Sequence, residues 1–294
     1  MHSWIGLGEA YTNSGRHSAA LKCLSRADTL GPGNWYSQYM FGNIQKNVLE
    51  YDTACQTFRS ILQNHPDDFN VALSFAQILV RWAHRCIRAG EFSKSVCLVM
   101  EGVQLAFQLV EKREEVSEAW KLIGDSAFMA SLLNTKEMSV ICEIICGKLG
   151  RIGLASFISE IHGETEANEI DKSVGDGDEK SMSKHKITLL RCSVIAMEKA
   201  VGLTEGDRFA HSAAHFNLGI SKFRLATETN SELNTSSVRP ILQCFKKAIQ
   251  IEPGNTEYWN AIGIVATCHF PFVAEKAFSR SLQLNERAYL SRFR

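Results

Sequence analysis

Residues 4–32 read WIGLGEAYTNSGRHSAALKCLSRADTLGP. Trp4, Leu7, Gly8 and Tyr11 come first, followed by Ala20, Leu24, Ala27 and Pro32. The apolar positions recur at helical spacing on either side of a polar break at Asn13–Arg16, so the stretch reads as two short helices joined by a tight turn. The same residue types return 34 positions later as Phe41, Gly42, Ala54, Phe58, Ile61 and Pro66. Further copies start at Trp120 with Ile123, Gly124 and Ala127, and at Leu218-Gly219 with Phe245, Ala248 and Pro253. The last starts at Trp259 with Ile262, Gly263 and Ala266, continued by Ala274 and Phe278. A fixed period of helix pairs is the mark of a stacked repeat array.

W-x2-L-G-x2-Y, then Ala, Phe or Leu, Ala and Pro, is the tetratricopeptide pattern. The fold class expected is therefore all-α, a solenoid of helix-turn-helix pairs wound as a right-handed superhelix. Gly8, Gly42, Gly124, Gly219 and Gly263 are placed where the first helix of a pair (helix A) crosses the second (helix B). Ala20 and Ala54 are their small partners, and Gly263→Leu is expected to cost several kcal/mol by overpacking. Trp4, Trp120 and Trp259 sit at position four, where an aromatic fills the layer between repeats. There are only five prolines. Pro32, Pro66 and Pro253 end a helix B, Pro240 is read as opening one, and Pro271 separates two helices.

The period is interrupted in three places. The third unit begins near Asn70 and does not turn until Gly90-Glu91-Phe92, about two helical turns late. Thr227–Ser237 is polar and reads as a loop inside a unit. Residues 163–184, GETEANEIDKSVGDGDEKSMSK, read as a flexible acidic loop. It divides an N-terminal block, 1–162, from a C-terminal block, 185–294, in which Lys186–Val201 resumes an amphipathic helix.

Composition argues against several functions. Thirty-two Lys+Arg balance 32 Asp+Glu for a net charge of +0, which gives no general grip on nucleic acid or an anionic membrane. Nine scattered cysteines without a CxxC read as reduced thiols in a cytosolic or nuclear protein. No basic n-region with an apolar run precedes the first repeat, and no stretch is apolar enough to span a bilayer. Cys142/Cys146 and His211/His215 have helical spacing that could hold a metal, but each sits on a packing face, so no metal is expected. Gly147-Lys148-Leu149-Gly150 reads as an interhelical loop. The cluster of Arg81, His84, Arg85 and Arg88 reads as a solvated helix face. No catalytic fingerprint and no cofactor motif occurs.

Binding is what remains. In a tetratricopeptide array helix A lines an inner groove through positions two, five, nine, twelve and thirteen. That frame selects Ile5, Glu9, Thr12 and Asn13, then Tyr39, Asn43, Lys46 and Asn47. Farther on it selects Glu118, Lys121, Asp125, Phe128 and Met129, then Asn260, Ile264 and Thr267. The mixture of acid, amide and apolar groups suits a protein segment.

EVSEAWKLIGDSAF (115–128), AHFNLGISKFRLA (214–226) and CFKKAIQIEPGNTEYWNAIGIVA (244–266) resemble the central part of the tetratricopeptide scaffold subunit of the superkiller (Ski) complex, and residues 4–30 are similar to its repeats. The resemblance implies a cytosolic, non-catalytic scaffold that holds a superkiller RNA helicase and a WD-repeat subunit. That assembly feeds messenger RNA to the cytoplasmic exosome for 3′-to-5′ decay. Family members are far longer than 294 residues, so the chain reads as a central fragment. Two other readings stand beside it. A co-chaperone adaptor would want Lys and Asn where Ile5 and Glu9 stand. The repeat region of a larger enzyme would need a catalytic domain elsewhere.

Overall fold

The computed structural model describes residues 2–31, 33–133, 137–154, 177–229 and 234–291. Within them the secondary structure is helical, with thirteen α-helices. Residues 1–109 and 110–294 form two compact units that part in the last turn of the sixth helix.

The first unit holds α1 (His2–Asn13), α2 (His17–Leu30), α3 (Trp35–Asn47), α4 (Tyr51–Asn64), α5 (Phe69–Ala89) and most of α6 (Phe92–Lys112). Helices of 12–14 residues such as α1–α4 are marginal alone and are held by the faces they bury. In this unit α3 and α5 are each started by a polar side chain. Asn34 Oδ1 accepts from the Tyr36 and Ser37 amides, and Asp68 Oδ1 accepts from those of Asn70 and Val71. The turns into α2, α4 and α6 share one closure, in which Arg16, Glu50 and Glu91 donate their amides five residues back, to Tyr11, Gln45 and Cys86. The residue before each is left-handed: Gly15, Leu49 and Gly90, at φ of 74°, 66° and 81°. The late turn at Gly90 makes α5 a continuous helix of 21 residues.

The second unit holds α7 (Ser117–Ser131), α8 (Glu137–Leu149), α9 (Gly177–Leu203), α10 (Arg208–Thr229), α11 (Thr235–Ile251), α12 (Thr256–Ala266) and α13 (Pro271–Ser291). A short π-helical turn, Gly150–Leu154, extends α8. Asp207 and Asn255 cap α10 and α12 as Asn34 and Asp68 do α3 and α5. Trp120 and Trp259 each donate the indole N–H to the carbonyl six residues back, Glu114 at 2.8 Å and Pro253 at 2.9 Å, which locks position four onto the preceding turn.

The five glycines show how each pair closes. A Cβ on Gly8 would lie 2.9 Å from Leu24, and one on Gly42 2.5 Å from Phe58. Gly219 and Gly263 stand the same way to Phe245 and Phe278, at 2.6 and 2.5 Å. What enters each notch is a large side chain of helix B; Ala20 supplies only a backbone oxygen at 3.6 Å from Gly8. Gly124 meets Met197 of α9 at 2.8 Å. Helix B of the Trp120 repeat is thus α9, and α8 with residues 150–176 is an insertion within that repeat. Leu24 and Phe58 follow their glycines by 16 residues, whereas Met197 follows Gly124 by 73.

Several sequence expectations are corrected. The helices before and after the acidic stretch, α7 and α9, pack as one pair, so the units part at 109/110 rather than at 163–184. Residues 155–176 lie outside the described residues, and 177–184 are helical, in the first turns of α9. Trp4 is 40% exposed, whereas Trp120 is 1% exposed, so the first aromatic of the pattern does not fill a buried layer. Pro240 lies inside α11 rather than at its start, and the helix-opening place is held by Pro271, the first residue of α13. The loop expected at 227–237 is shortened from both sides, by α10 to Thr229 and by α11 from Thr235. Pro32 lies outside the described residues.

Candidate functional site

The residues selected from sequence lie on A helices, and their surroundings differ from one helix to the next. In the second unit α10 and α12 flank a cavity of about 310 Å³. Phe216, Ile220 and Phe223 of α10 line one side, Asn260 and Ile264 of α12 the other, and Glu257 stands at the rim. Phe216 is positioned by ring contacts to Phe245 and Tyr258, centroids 5.7 and 4.7 Å away. Ile264 is 59% exposed. This is an apolar trough with one amide and one carboxylate, suited to the apolar face of a peptide or helix. Asn260 and Ile264 were selected from sequence; the three α10 residues were not, although they occupy positions five, nine and twelve once His215 is counted as position four.

On α7, Lys121 and Asp125 form an ion pair at 3.4 Å, and Phe128 is half-buried. In the first unit Glu9 and Asn13 are exposed, while Asn43 and Lys46 are half-buried on α3. Tyr39 is half-buried, with its hydroxyl 3.1 Å from that of Ser74 on α5. Ile5 is corrected: it is 5% exposed and packs with Leu24, Met40 and Ile44, so it belongs to the core between repeats. The Arg81–Arg88 cluster is also more than a solvated face, because Arg85 donates to the Leu49 carbonyl at 3.1 Å and lies over the Tyr51 ring.

The cysteine and histidine pairs also contact neighbouring residues. Cys146 Sγ lies 3.7 Å from Cys192 Sγ, joining α8 to α9. His211 Nδ1 lies 3.0 Å from Thr204 Oγ1, and its Nε2 lies 3.2 Å from His215 Nε2. Among the described residues no group of three or more His, Cys, Asp or Glu is arranged to hold a metal ion. No described helix is long and apolar enough to cross a membrane.

His215 carries a pH dependence. Its Nδ1 is buried without a partner. Burial first, then the charges of His211, Lys247 and Lys222, lowers its pKa from 6.5 to about 4. Between those values the unfolded chain binds a proton that the folded chain refuses, so stability present above 6.5 is lost as pH falls toward 4. His215→Phe is expected to retain about 2 kcal/mol of the stability that the parent loses between pH 7 and 4.5, read from paired denaturant titrations. Equal losses in parent and variant would refute it.

Comparison with known proteins agrees with the repeat reading. Superkiller protein 3 of Schizosaccharomyces pombe is 25% identical over 276 residues, covering 90% of this chain and 18% of that protein. The chain is a relative of Superkiller protein 3. Superkiller complex protein 3 of Homo sapiens is 24% identical over 268 residues, again over 90% of this chain and 15% of its own length. Superkiller protein 3 of Saccharomyces cerevisiae is 21% identical, over 98% of this chain and 20% of its own. This chain therefore spans less than a quarter of the length of these superkiller relatives. No protein-family model matches it. Among solved structures, the Cut9–Hcn1 hetero-tetramer of the APC/C aligns over 96% of this chain and 39% of its own, with a TM-score of 0.58 and 12% identity. That likeness shows the fold, a helical solenoid of the tetratricopeptide class.

Proposed function

We propose that the chain is a stretch of the non-catalytic scaffold of a superkiller-type complex. Its A-helix faces grip the complex's RNA helicase and WD-repeat subunit, and through them it supports exosome-linked 3′-to-5′ decay of messenger RNA in the cytoplasm. The observation that carries this reading is the similarity to Superkiller protein 3 over 90% of the chain. The open apolar trough between α10 and α12 supports it as a place for a protein segment. RNA handling is left to the partners, in keeping with a net charge of +0.

Co-purification tests it. A tagged copy of the chain should recover a superkiller-type helicase from cell extract. Phe223→Asp, which places a charge in the trough, should lower that recovery about tenfold while circular dichroism stays unchanged. Recovery of neither the helicase nor the WD-repeat subunit would overturn the assignment.

A further inference from the structure

A second cavity in residues 110–294, of about 660 Å³, opens beside a helix B and shares no residue with the trough. Its wall is one stripe of α9. Ile195, Glu198, Lys199 and Gly202 are spaced three, four and seven residues from the first, which sets them on one face of that helix. Trp120 lies beneath, fixed by its indole bond to the Glu114 carbonyl. Ile195 is half-buried and Leu203 is 41% exposed, so apolar surface of α9 is left open to water. Gly202 differs from the five notch glycines. A Cβ there would have nothing within 4 Å, so this glycine leaves the cavity wide instead of fitting a neighbouring side chain.

The charge around this apolar surface has one dominant sign. Glu114 and Glu115, on the stretch leading into α7, line the cavity together with Glu198. Glu198 is paired with Lys222 at 2.8 Å. Among the described residues neither Glu114 nor Glu115 has a cation at ion-pair distance. The lining thus sets three carboxylates against a single ammonium, Lys199. Apolar walls beside charges of one sign concentrate the field in the opening. Such a cavity repels phosphates and acidic segments and attracts cations that carry apolar surface with them.

We propose that this cavity docks a basic segment of a partner protein. An apolar side chain of the segment rests against Ile195 and Leu203, and adjoining Arg or Lys side chains face Glu114 and Glu115. The site is built on helix B and on the turn before α7, so it stands whatever the A-helix trough holds.

Fluorescence anisotropy with the full 294-residue chain and a labelled alternating arginine–leucine hexapeptide tests the site. The peptide should bind, and its affinity should fall as salt rises. An arginine–serine peptide of equal charge should bind about tenfold more weakly, because it lacks the apolar side chains. Glu114→Gln combined with Glu115→Gln should weaken binding about tenfold and flatten its salt dependence. Gly202→Lys puts a like charge into the cavity at a position with no neighbour to strike, and should abolish binding. Glu257→Gln, at the rim of the trough, should leave it unchanged. Binding unaffected by Gly202→Lys would overturn the proposal, as would equal affinity for the two peptides. The peptide comparison needs no substitution and decides the matter should a variant fail to fold. A dimer of the parent chain in sedimentation, dissolved by Gly202→Lys, would give the cavity to a second copy and overturn the assignment to a partner.

Discussion

Gly219→Leu is expected to destabilise residues 110–294 by about 3 kcal/mol in denaturant titration, among the largest losses available from a single surface-neutral change. The argument starts from what cannot move. A Cβ at Gly219 would lie 2.6 Å from the Phe245 ring, and Phe245 is fully buried. A leucine must either push α10 off α11 or force that ring off its rotamer. Gly42→Leu is expected to behave alike, because Phe58 is also fully buried and a Cβ would come within 2.5 Å of it. Gly263→Leu has the same nominal clash, yet Phe278 is 37% exposed and can swing toward solvent. Its cost should be about half as large, which revises the several kcal/mol expected from sequence. Gly147, on α8, has nothing within 4 Å of its missing Cβ. Gly147→Ala should therefore stabilise by about 0.5–1 kcal/mol through helix propensity alone, which separates propensity from packing. Gly219→Leu melting like the parent would mean that α10 and α11 do not close as described.

These glycines were readable because the period is short and local. Gly8 and Leu24, or Gly42 and Phe58, are close in the chain, and a repeat of identical spacing names both. The pairing of Gly124 with Met197 was not readable, because the insertion separates them and α8 between them is itself a plausible helix B. Only tertiary packing chooses α9. The groove residues show a different limit. Phe216, Ile220 and Phe223 follow from the repeat frame once His215 is accepted at position four, a slot filled by tryptophan in neighbouring units. Ile5 departs from the frame in the other direction: it is buried with Leu24, Met40 and Ile44 instead of lining the groove, which its position in the repeat does not reveal.

Position four gives the second large effect, because one residue type occupies it in three environments. Trp120 is 1% exposed, Trp259 is half-buried and Trp4 is 40% exposed. Trp120→Ala is expected to cost about 3–5 kcal/mol, since it empties a fully buried site between α7 and α9. Trp4→Ala is expected to cost under about 1 kcal/mol, because much of its surface already faces water. Trp259→Ala should fall between them. The indole hydrogen bond is a separate contribution. Trp120→Phe keeps most of the volume but loses the donor to the Glu114 carbonyl, a loss of about 1 kcal/mol. Denaturant titration of the four variants therefore distinguishes two accounts of the motif. If burial sets the role of position four, the alanine losses rank Trp120, Trp259, Trp4, with a several-fold span. Should the tryptophan act chiefly as a hydrogen-bonded latch on the preceding turn, Trp120→Phe and Trp120→Ala would cost the same, and Trp259→Ala would match them.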